Sequence, residues 1–471
     1  MRRLTAAIVA SFLSVCCAAA EREEKPSSSA DAKATADTPK SLWERETLTG
    51  DWGGARSRLA EKGLEFAATY TGECLGNVQG GARTGALYQG LVRMDANLDI
   101  EKAGGWKGGV FHTSGLWIQG SEPNFRNDIA GMTGARFLEP SNISAYDTVR
   151  LYELWLEQSF LEDRLSIRGG QLALDERLIC SDYACVFIGG THGWPAFMSA
   201  LIPSGGPAYP VAGTGVMVTG RPHEQVELTG TVVDGDVGDQ SSESRDGTHF
   251  GMGHRNGVLA LFEAVWRRNH EKGALGLSGE LKVGGWFHSG DFNDQRFDTL
   301  GRSLKDDGTL SGIASTGVAR SHSGNGGFYF NVDQMLWREK TEGDEGLALY
   351  CRVAPWMPED RNPVEFYAAG GLTYKGLLPT RGEDIVGVAV SYVTISDSLR
   401  DLQRDANTIH VLNGTPTSPV PDYEMALEAT YRIALAPWWS LQPDFQYIFH
   451  PGGSTALEDA IVIGMRTTVS F

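Results

Sequence analysis

The chain has little of what a helical membrane protein or a nucleic-acid-binding protein needs. Beyond the N-terminus no apolar run approaches the roughly 18 residues of a membrane-spanning helix, and the mean hydropathy is −0.23. Lysine and arginine number 41 against 59 acidic residues, a formal net charge of −18. This acidic balance excludes a protein that binds nucleic-acid phosphates by charge. The missing apolar runs exclude a membrane helix bundle but leave open a barrel of alternating strands.

Cysteine is scarce, and the usual catalytic and metal-binding motifs are missing. Only 6 cysteines occur. Cys180 and Cys185 are close enough in sequence to close a small loop by a disulfide in an oxidising compartment, whereas Cys74 and Cys351 can pair only if folding brings them together. No Cys-x-x-Cys, HExxH, HxH, G-x-S-x-G or phosphate-binding P-loop sequence is present. The residues therefore predict no catalytic residue, no metal site and no cofactor.

The N-terminus has the organisation of an exported protein. Two arginines, an apolar core and a small-residue cleavage site make 1–20 a predicted secretory signal peptide. Residues 21–47 are polar and charged, which predicts a disordered leader. Good helix formers followed by a glycine predict a short N-terminal helical segment over 48–63. The remaining residues, 64–471, are predicted to form one β-barrel domain.

The rest of the chain alternates apolar and polar residues at the period of β-strands. The predicted strands are 64–72, 89–100, 109–120, 151–160, 165–172, 214–220, 226–233, 257–267, 274–286, 327–337, 347–356, 365–376, 384–394, 423–433, 440–449 and 460–471. Their connections alternate long and short, which is typical of outer-membrane barrels with long loops at one end and short turns at the other. The prediction is therefore an all-β fold, a sixteen-stranded antiparallel transmembrane β-barrel.

The last predicted strand, Ala460 to Phe471, shows the alternation clearly. Ile463 and Met465 belong to an apolar row that suits lipid, while Arg466 belongs to a smaller, more polar row that suits a water-filled lumen. A terminal strand with an unpaired edge would invite aggregation. We expect it to close the barrel by pairing with the strand at 64–72, with Arg466 in the lumen.

Several stretches, in one order, resemble the carbohydrate-selective porin (OprB) family of Gram-negative outer membranes. They are LTGDWGGARSRLAEKG at 48–63, GWPAFMSALIPSGGPAYPVAGTGV at 193–216, GGWFHSGDFND at 284–294, GNGGFYFNVDQMLWRE at 324–339, PEDRNP at 358–363, GGLTYKGLLPTRGED at 370–384, and PDYEMALEATYRI with QPDFQYIFHPGG within 421–453. The resemblance implies an outer-membrane barrel that passes sugars, such as glucose, by facilitated diffusion. The implied partners are small neutral sugars and outer-membrane lipid, with the barrel a monomer or a homotrimer.

A sugar pore needs aromatic faces and planar polar groups that bind sugars weakly and repeatedly. The alternation of the strands and the composition of the longest loop supply candidates for the pore lining. They are Arg93, Asp95, Asn97, Glu153, Trp155, Glu157, Arg168, Trp194, Tyr350, Arg352, Glu365 and Glu428. For each of them the alternative interpretation is a charge or ring that only solvates the wall.

The longest connection, 173–213, carries too much apolar surface for an exposed loop. We expect it to fold inward and narrow the pore, its start pinned by a Cys180–Cys185 disulfide. The alternative is a loop that packs on neighbouring loops or at a subunit interface. Alternatives to a sugar-selective pore are a general diffusion pore, an outer-membrane barrel hydrolase and a purely structural or adhesive barrel.

Overall fold

The structure is a computed structural model that describes residues 41–120, 128–238, 245–251, 257–271, 274–340 and 343–471. The predicted signal peptide at 1–20 and leader residues 21–40 lie outside the described residues. Among the described residues no helix is both long and apolar enough to cross a membrane.

Sixteen antiparallel strands form one closed barrel in which each strand pairs with its neighbours in sequence. The strands are β1 Leu64–Gln79, β2 Gly85–Asp99, β3 Gly109–Gln119, β4 Thr148–Phe160, β5 Leu165–Leu172, β6 Gly213–His223, β7 Val226–Asp234, β8 Val258–Arg268, β9 Gly279–Asp298, β10 Ala319–Arg338, β11 Gly346–Ala354, β12 Val364–Lys375, β13 Ile385–Ile395, β14 Tyr423–Ala436, β15 Trp439–Phe449 and β16 Ala460–Ser470. The predicted fold class is confirmed. Each predicted strand overlaps one of these strands, because the period-two pattern is strong wherever a wall separates apolar from polar surroundings.

The described helices lie before the first strand or in the connections between strands. They are α1 Ala55–Glu61, α2 Ile100–Gly104, α3 Ile129–Thr133, α4 Gly190–Gly193, α5 Ala196–Ser199 and α6 Asp397–Leu412. The described 3₁₀ turns are Leu42–Glu44, Trp52–Gly54, Leu174–Glu176, Ala184–Val186, Pro203–Gly205 and Pro451–Gly453. The connection predicted as a loop over 287–326 is largely a hairpin, since β9 and β10 extend well into it.

The barrel closes between β1 and β16, as the sequence predicts. Their register runs from Thr69 opposite Ser470 to Gln79 opposite Ile461. Arg466 faces the lumen and is buried, while Met465, its neighbour in sequence, is exposed on the outer face. The register predicted for the closing strand is therefore confirmed.

The N-terminal segment packs against this closing strand. The guanidinium group of Arg56 in α1 donates to the carbonyl oxygens of Phe471 at 3.1 Å and Phe66 at 2.8 Å. The ring of Trp43 stacks on Trp438 with 6.1 Å between ring centroids. Residues 41–47, predicted as part of a disordered leader, are thus structured, because the turn between β14 and β15 offers them an aromatic surface.

Candidate functional site: the lumen wall and its inward segments

The wall of the barrel separates polar from apolar side chains strand by strand. On β2, Arg93 and Asn97 face inward, while Met94 is 51% exposed on the outer face. On β14, Glu428 faces inward and Leu427 faces outward. A charged side chain is costly on the lipid face of a barrel but not in a water-filled lumen. The alternation therefore assigns these charged rows to the lumen.

The connection between β5 and β6, residues 173–212, folds into the barrel. We call this segment the inner loop. Its side chains Phe187, Phe197 and Met198 are buried and form a hydrophobic cluster with wall residues that include Tyr329 and Tyr350. The predicted inward fold of this loop is confirmed, because its apolar side chains find a partner surface only inside the barrel.

Buried carboxylates on the wall hold the main chain of the inner loop. Glu428 accepts hydrogen bonds from the N–H groups of Ile188 at 2.5 Å and Gly189 at 3.0 Å. Glu263 accepts from the N–H of Ile179 at 2.9 Å. Asp333 accepts from the N–H of Asp182 at 2.8 Å. Charge-assisted bonds of this kind are stronger than neutral ones, so the inner loop is fixed to several separate strands.

A buried arginine holds the same loop by its carbonyl groups. Arg352 donates to the carbonyl oxygens of Ile179 at 2.6 Å and His192 at 3.1 Å, with longer bonds to two neighbouring carbonyls. The hydroxyl of Tyr350 lies 2.5 Å from Nδ1 of His192. The side chains of Arg352 and Tyr350 are 0% exposed. They face the lumen as predicted, but the inner loop covers them.

We call the wall residues that hold the inner loop the covered set. It consists of Glu263, Asp333, Tyr350, Arg352 and Glu428. Three of the predicted solute-binding residues, Tyr350, Arg352 and Glu428, belong to it. Their assignment to solute contact is corrected here, because their polar atoms are engaged by the loop and they are almost completely buried.

A second segment, residues 128–147, also folds inward. We call it the inner strap. Glu424 on β14 accepts from the N–H groups of Phe137 at 3.0 Å and Leu138 at 2.7 Å. The strap in turn contacts the inner loop, since the N–H of Asn142 donates to the carbonyl of Ile188 at 2.8 Å. Sequence reasoning missed this segment because it treated it as an ordinary long loop; Ile129, Phe137 and Leu138 were the apolar signal that could have found it.

A different group of charged residues pairs within the wall. Arg93 donates to Asp95 at 2.9 Å and also pairs with Glu176 at the start of the inner loop. Arg168 pairs with Glu157 at 2.8 Å, and both side chains are 16% exposed. Side chains that retain exposure while paired are held in place and can still bond to a passing solute.

Trp155 lies at the centre of this group, but its ring is covered on both faces. The guanidinium carbon of Arg168 lies 3.8 Å from the ring centroid. The ring of His112 stacks with Trp155 at 4.7 Å and 17°, and Nδ1 of His112 lies 2.7 Å from Oδ1 of Asn97. Trp155 therefore supports Arg168 rather than offering a free aromatic face, which corrects the stacking role predicted for it.

Glu153 is also buried at this place. Its carboxylate lies 3.6 Å from Arg93 and 3.5 Å from Nε2 of His112, and it accepts from the N–H of Ala173 at 3.2 Å. It supports both the wall charges and the first residue of the inner loop. Direct contact between Glu153 and a solute is not compatible with this burial.

The paired charges continue around the wall on β6 to β9, which sequence reasoning missed. Glu227 pairs with Arg177 at 2.8 Å and with Arg221 at 2.9 Å. Arg267 pairs with Glu280 at 2.6 Å, and its side chain is 32% exposed. The alternation of charged and apolar residues along β6 to β9 is the sequence pattern that could have identified them. We call the partly exposed, paired residues of the wall the open track: Asp95, Glu157, Arg168, Arg221 and Arg267. Arg93 is not part of it, because its side chain is buried and its partner Glu176 lies on the inner loop.

Two further predicted residues lie elsewhere. Trp194 is half-buried on the inner loop, and its Nε1 donates to the carbonyl of Gly205 at 2.8 Å. Glu365 lies at the long-loop end of β12, where it accepts from the N–H of Asp397 at 3.0 Å at the start of α6. Glu365 thus stabilises a helix N-terminus, and its pore-lining role stays a prediction.

The predicted disulfide is not formed. Cys180 is a free thiol whose Sγ donates to the carbonyl of Asp175 at 3.0 Å, and Cys74 and Cys351 are free on the outer face. Burial raises the pKa of the Cys180 thiol to about 12, so it stays protonated. The predicted Cys180–Cys185 pairing is therefore corrected, and the inner loop is held by wall side chains.

Two other titratable groups of the inner loop respond to burial. Burial raises the pKa of Asp175 to about 6. Burial, assisted by the nearby charge of Arg352, lowers the pKa of His192 to about 3. His192 is therefore neutral at ordinary pH, and the Asp175 carboxyl, with its pKa raised to about 6, loses its proton below neutral pH.

Comparison with known proteins identifies the architecture. A profile described as "Carbohydrate-selective porin, OprB family" matches residues 83–471. The chain belongs to the carbohydrate-selective porin (OprB) family. It is accordingly an outer-membrane porin of the Gram-negative type, with channels rather than enzymes as its relatives.

Individual relatives match over nearly their whole length. Porin B of Pseudomonas aeruginosa is 26% identical over 462 residues, which is 93% of this chain and 93% of the relative. The putative porin QuiX of Acinetobacter baylyi is 24% identical over 91% of this chain and 94% of its own length. The high-pH structure of Pseudomonas putida OprB has a TM-score of 0.80 at 23% identity and covers 92% of this chain and 100% of that one; this likeness supports the fold.

Proposed function

We propose that this porin passes small neutral sugars along the open track, which the inner loop confines to one side of the lumen. The observation that carries the proposal is the set of guanidinium–carboxylate pairs, held at hydrogen-bond distance and still partly exposed, as in Arg168 with Glu157. Paired planar groups present donors and acceptors side by side, which suits adjacent sugar hydroxyls. Their mutual pairing weakens each bond to a solute, and transport requires weak, repeated binding.

Among the twelve sequence candidates, Asp95, Glu157, Arg168 and Trp194 retain the proposed solute-contacting role, whereas Arg93 is buried and holds Glu176 of the inner loop. Arg221 and Arg267 join them. The half-buried indole of Trp194 is the proposed aromatic face, since the two faces of Trp155 are occupied. Asn97, Glu153 and Trp155 are proposed to support the track from behind.

The test combines liposome swelling with planar-bilayer recording. Swelling rates are measured for a panel of neutral mono- and disaccharides and for polyols of matched size. We expect uptake that depends on sugar identity at equal size, and conductance steps that added glucose reduces. Uptake that follows solute size alone would instead establish a general diffusion pore.

The remaining alternatives are tested with the same preparation. We propose that the protein has no catalytic activity, so a silent bilayer together with ester hydrolysis would favour a barrel hydrolase. Chemical cross-linking and mass measurement of the detergent-solubilised protein distinguish a monomer from a homotrimer.

A further inference from the structure

An ion pair joins the two strands that close the barrel. Glu73 on β1 lies directly opposite Arg466 on β16 in the strand register. Nε of Arg466 donates to Oε1 of Glu73 at 2.5 Å, and the two side chains are 6% and 0% exposed. Such a pair must be compensated for lost hydration by further hydrogen bonds.

Those further bonds go to the inner strap. Oε2 of Glu73 accepts from the hydroxyl of Ser141 at 2.7 Å and from Nε2 of Gln89 at 2.9 Å. Nη2 of Arg466 donates to Oδ1 of Asn142. Each member of the pair therefore holds one of two consecutive residues of the strap.

Asn142 and its neighbours in the strap also contact the inner loop. The N–H of Asn142 donates to the carbonyl of Ile188 at 2.8 Å, and the N–H of Gly190 donates to the carbonyl of Glu139 at 2.8 Å. The hydroxyl of Tyr209, farther along the inner loop, donates to the carbonyl of Ile143 at 3.0 Å. An unbroken series of hydrogen bonds thus leads from the closing strands through the strap to the loop that narrows the lumen.

Barrel closure itself does not need this ion pair. The β1–β16 register from Thr69 to Gln79 already joins the strands by their main chains. Glu424 holds the strap at Arg136 to Leu138, and Gln446 bonds to the carbonyl of Pro140 at 2.8 Å. The Glu73–Arg466 pair holds Ser141 and Asn142, and Asn142 bonds directly to the inner loop.

We propose that Glu73 and Arg466 are positioning residues that set the width of the pore by holding the inner strap, and through it the inner loop, against the wall at the barrel seam. The inference rests on the proposed function as a pore. It assigns a transport role to residues that do not line the open track and that are buried behind the strap.

The test separates pore width from barrel folding. Arg466→Met removes the guanidinium group from the wall. A second protein, the strap variant, carries Asn142→Ala and Ser141→Ala together. It lacks the strap side chains that bond to the ion pair but keeps the ion pair itself. Asn413→Ala, at the exposed C-cap of α6, is the matched control. Each protein is checked for the heat-dependent mobility shift of a folded barrel, and its single-channel conductance and its size cut-off for neutral oligosaccharides are measured.

We expect the folded strap variant and Arg466→Met to show higher conductance than wild type and to lose the size cut-off, with no further change when the substitutions are combined. Asn413→Ala retains the wild-type values. If Arg466→Met fails to fold, the strap variant still tests the inference. If the wild type conducts and the folded strap variant has the same conductance and size cut-off as the wild type, the inference is wrong but the proposed function stands. A wild type that does not conduct overturns the proposed function, and this inference with it.

Discussion

The covered set and the open track arise from the same sequence pattern but have different bonding partners. In both, charged residues alternate with apolar ones along a strand and face the lumen. In the covered set, Glu428 and Arg352 bond to the main chain of the inner loop. In the open track, Arg168 and Arg267 bond to carboxylates on neighbouring strands. A lumen-facing charge is therefore not by itself a sign of solute contact; the partner of that charge decides its role.

The largest effect is expected when the covered set loses its arginine. Arg352→Met leaves buried carbonyl groups of the inner loop, including those of Ile179 and His192, without donors, which we expect to cost about 2–5 kcal/mol of local loop stability. The loop should become sensitive to protease and the single-channel conductance should rise. Arg221→Met, in the open track, is the comparison variant and should leave the protease resistance of the inner loop intact. Equal protease sensitivity in both variants would remove the distinction between the two groups.

A smaller effect is expected for the carboxylate of the covered set. Glu428→Gln keeps the shape of the side chain but weakens its charge-assisted bonds to the N–H groups of Ile188 and Gly189, with an expected loss of about 1–3 kcal/mol. Hydrogen exchange at these two amides should accelerate, while glucose affinity measured from current noise should not change. A loss of glucose affinity with unchanged amide exchange would place Glu428 among the solute contacts.

The open track should show the opposite behaviour. Arg168→Gln removes the guanidinium group that pairs with Glu157, and we expect sugar affinity to fall by up to about tenfold, equivalent to about 1.4 kcal/mol. The inner loop should keep its protease resistance, because Arg168 makes no described bond to that loop. Current-noise analysis with glucose measures the change, and Arg168→Lys, which keeps the charge but loses the planar fork, should be intermediate. Wild-type affinity in both variants would contradict the proposed path.

The smallest effect is expected for the pH dependence of Asp175, a buried acid of the inner loop. Asp175 has a pKa raised to about 6 by burial. Because this folded-state value lies above the ordinary one, the acid favours the packed loop at low pH, and that contribution is lost as pH rises through about 6. Exchange of the Tyr209 amide, which bonds to Asp175, should therefore be slower near pH 5 than near pH 8 after correction for intrinsic rates. Asp175→Asn should abolish the pH dependence, and its persistence would contradict the assignment.

The strands and their facing were predictable from the sequence. On β16 and β2 each residue has one of two environments, so the rows that contain Arg466 and Arg93 could be assigned to the lumen from period two alone. The apolar content of the inner loop likewise predicted that it folds inward. The inner strap was not predicted, because its apolar residues are interspersed with glycines and polar residues that are common in ordinary loops.

The division of the wall into covered set and open track could not be predicted from the sequence. Tyr350 and Arg352 alternate with outward-facing residues in the same way as Asp95 and Glu157 do, and this pattern holds no information on which wall position an incoming loop reaches. The burial of Trp155 between Arg168 and His112 is similar, since these three residues come from three strands.

The sequence by itself determined that this chain forms a sixteen-stranded barrel with a polar lumen, a closing strand with Arg466 inward and an inner loop, because side-chain alternation and loop composition are local properties. Only the tertiary structure decided which charges hold a loop and which remain open, how the strap joins the seam to that loop, and that Cys180 stays a thiol. Those outcomes depend on contacts between segments far apart in the chain, and the geometry of such contacts is fixed only when the barrel closes around them.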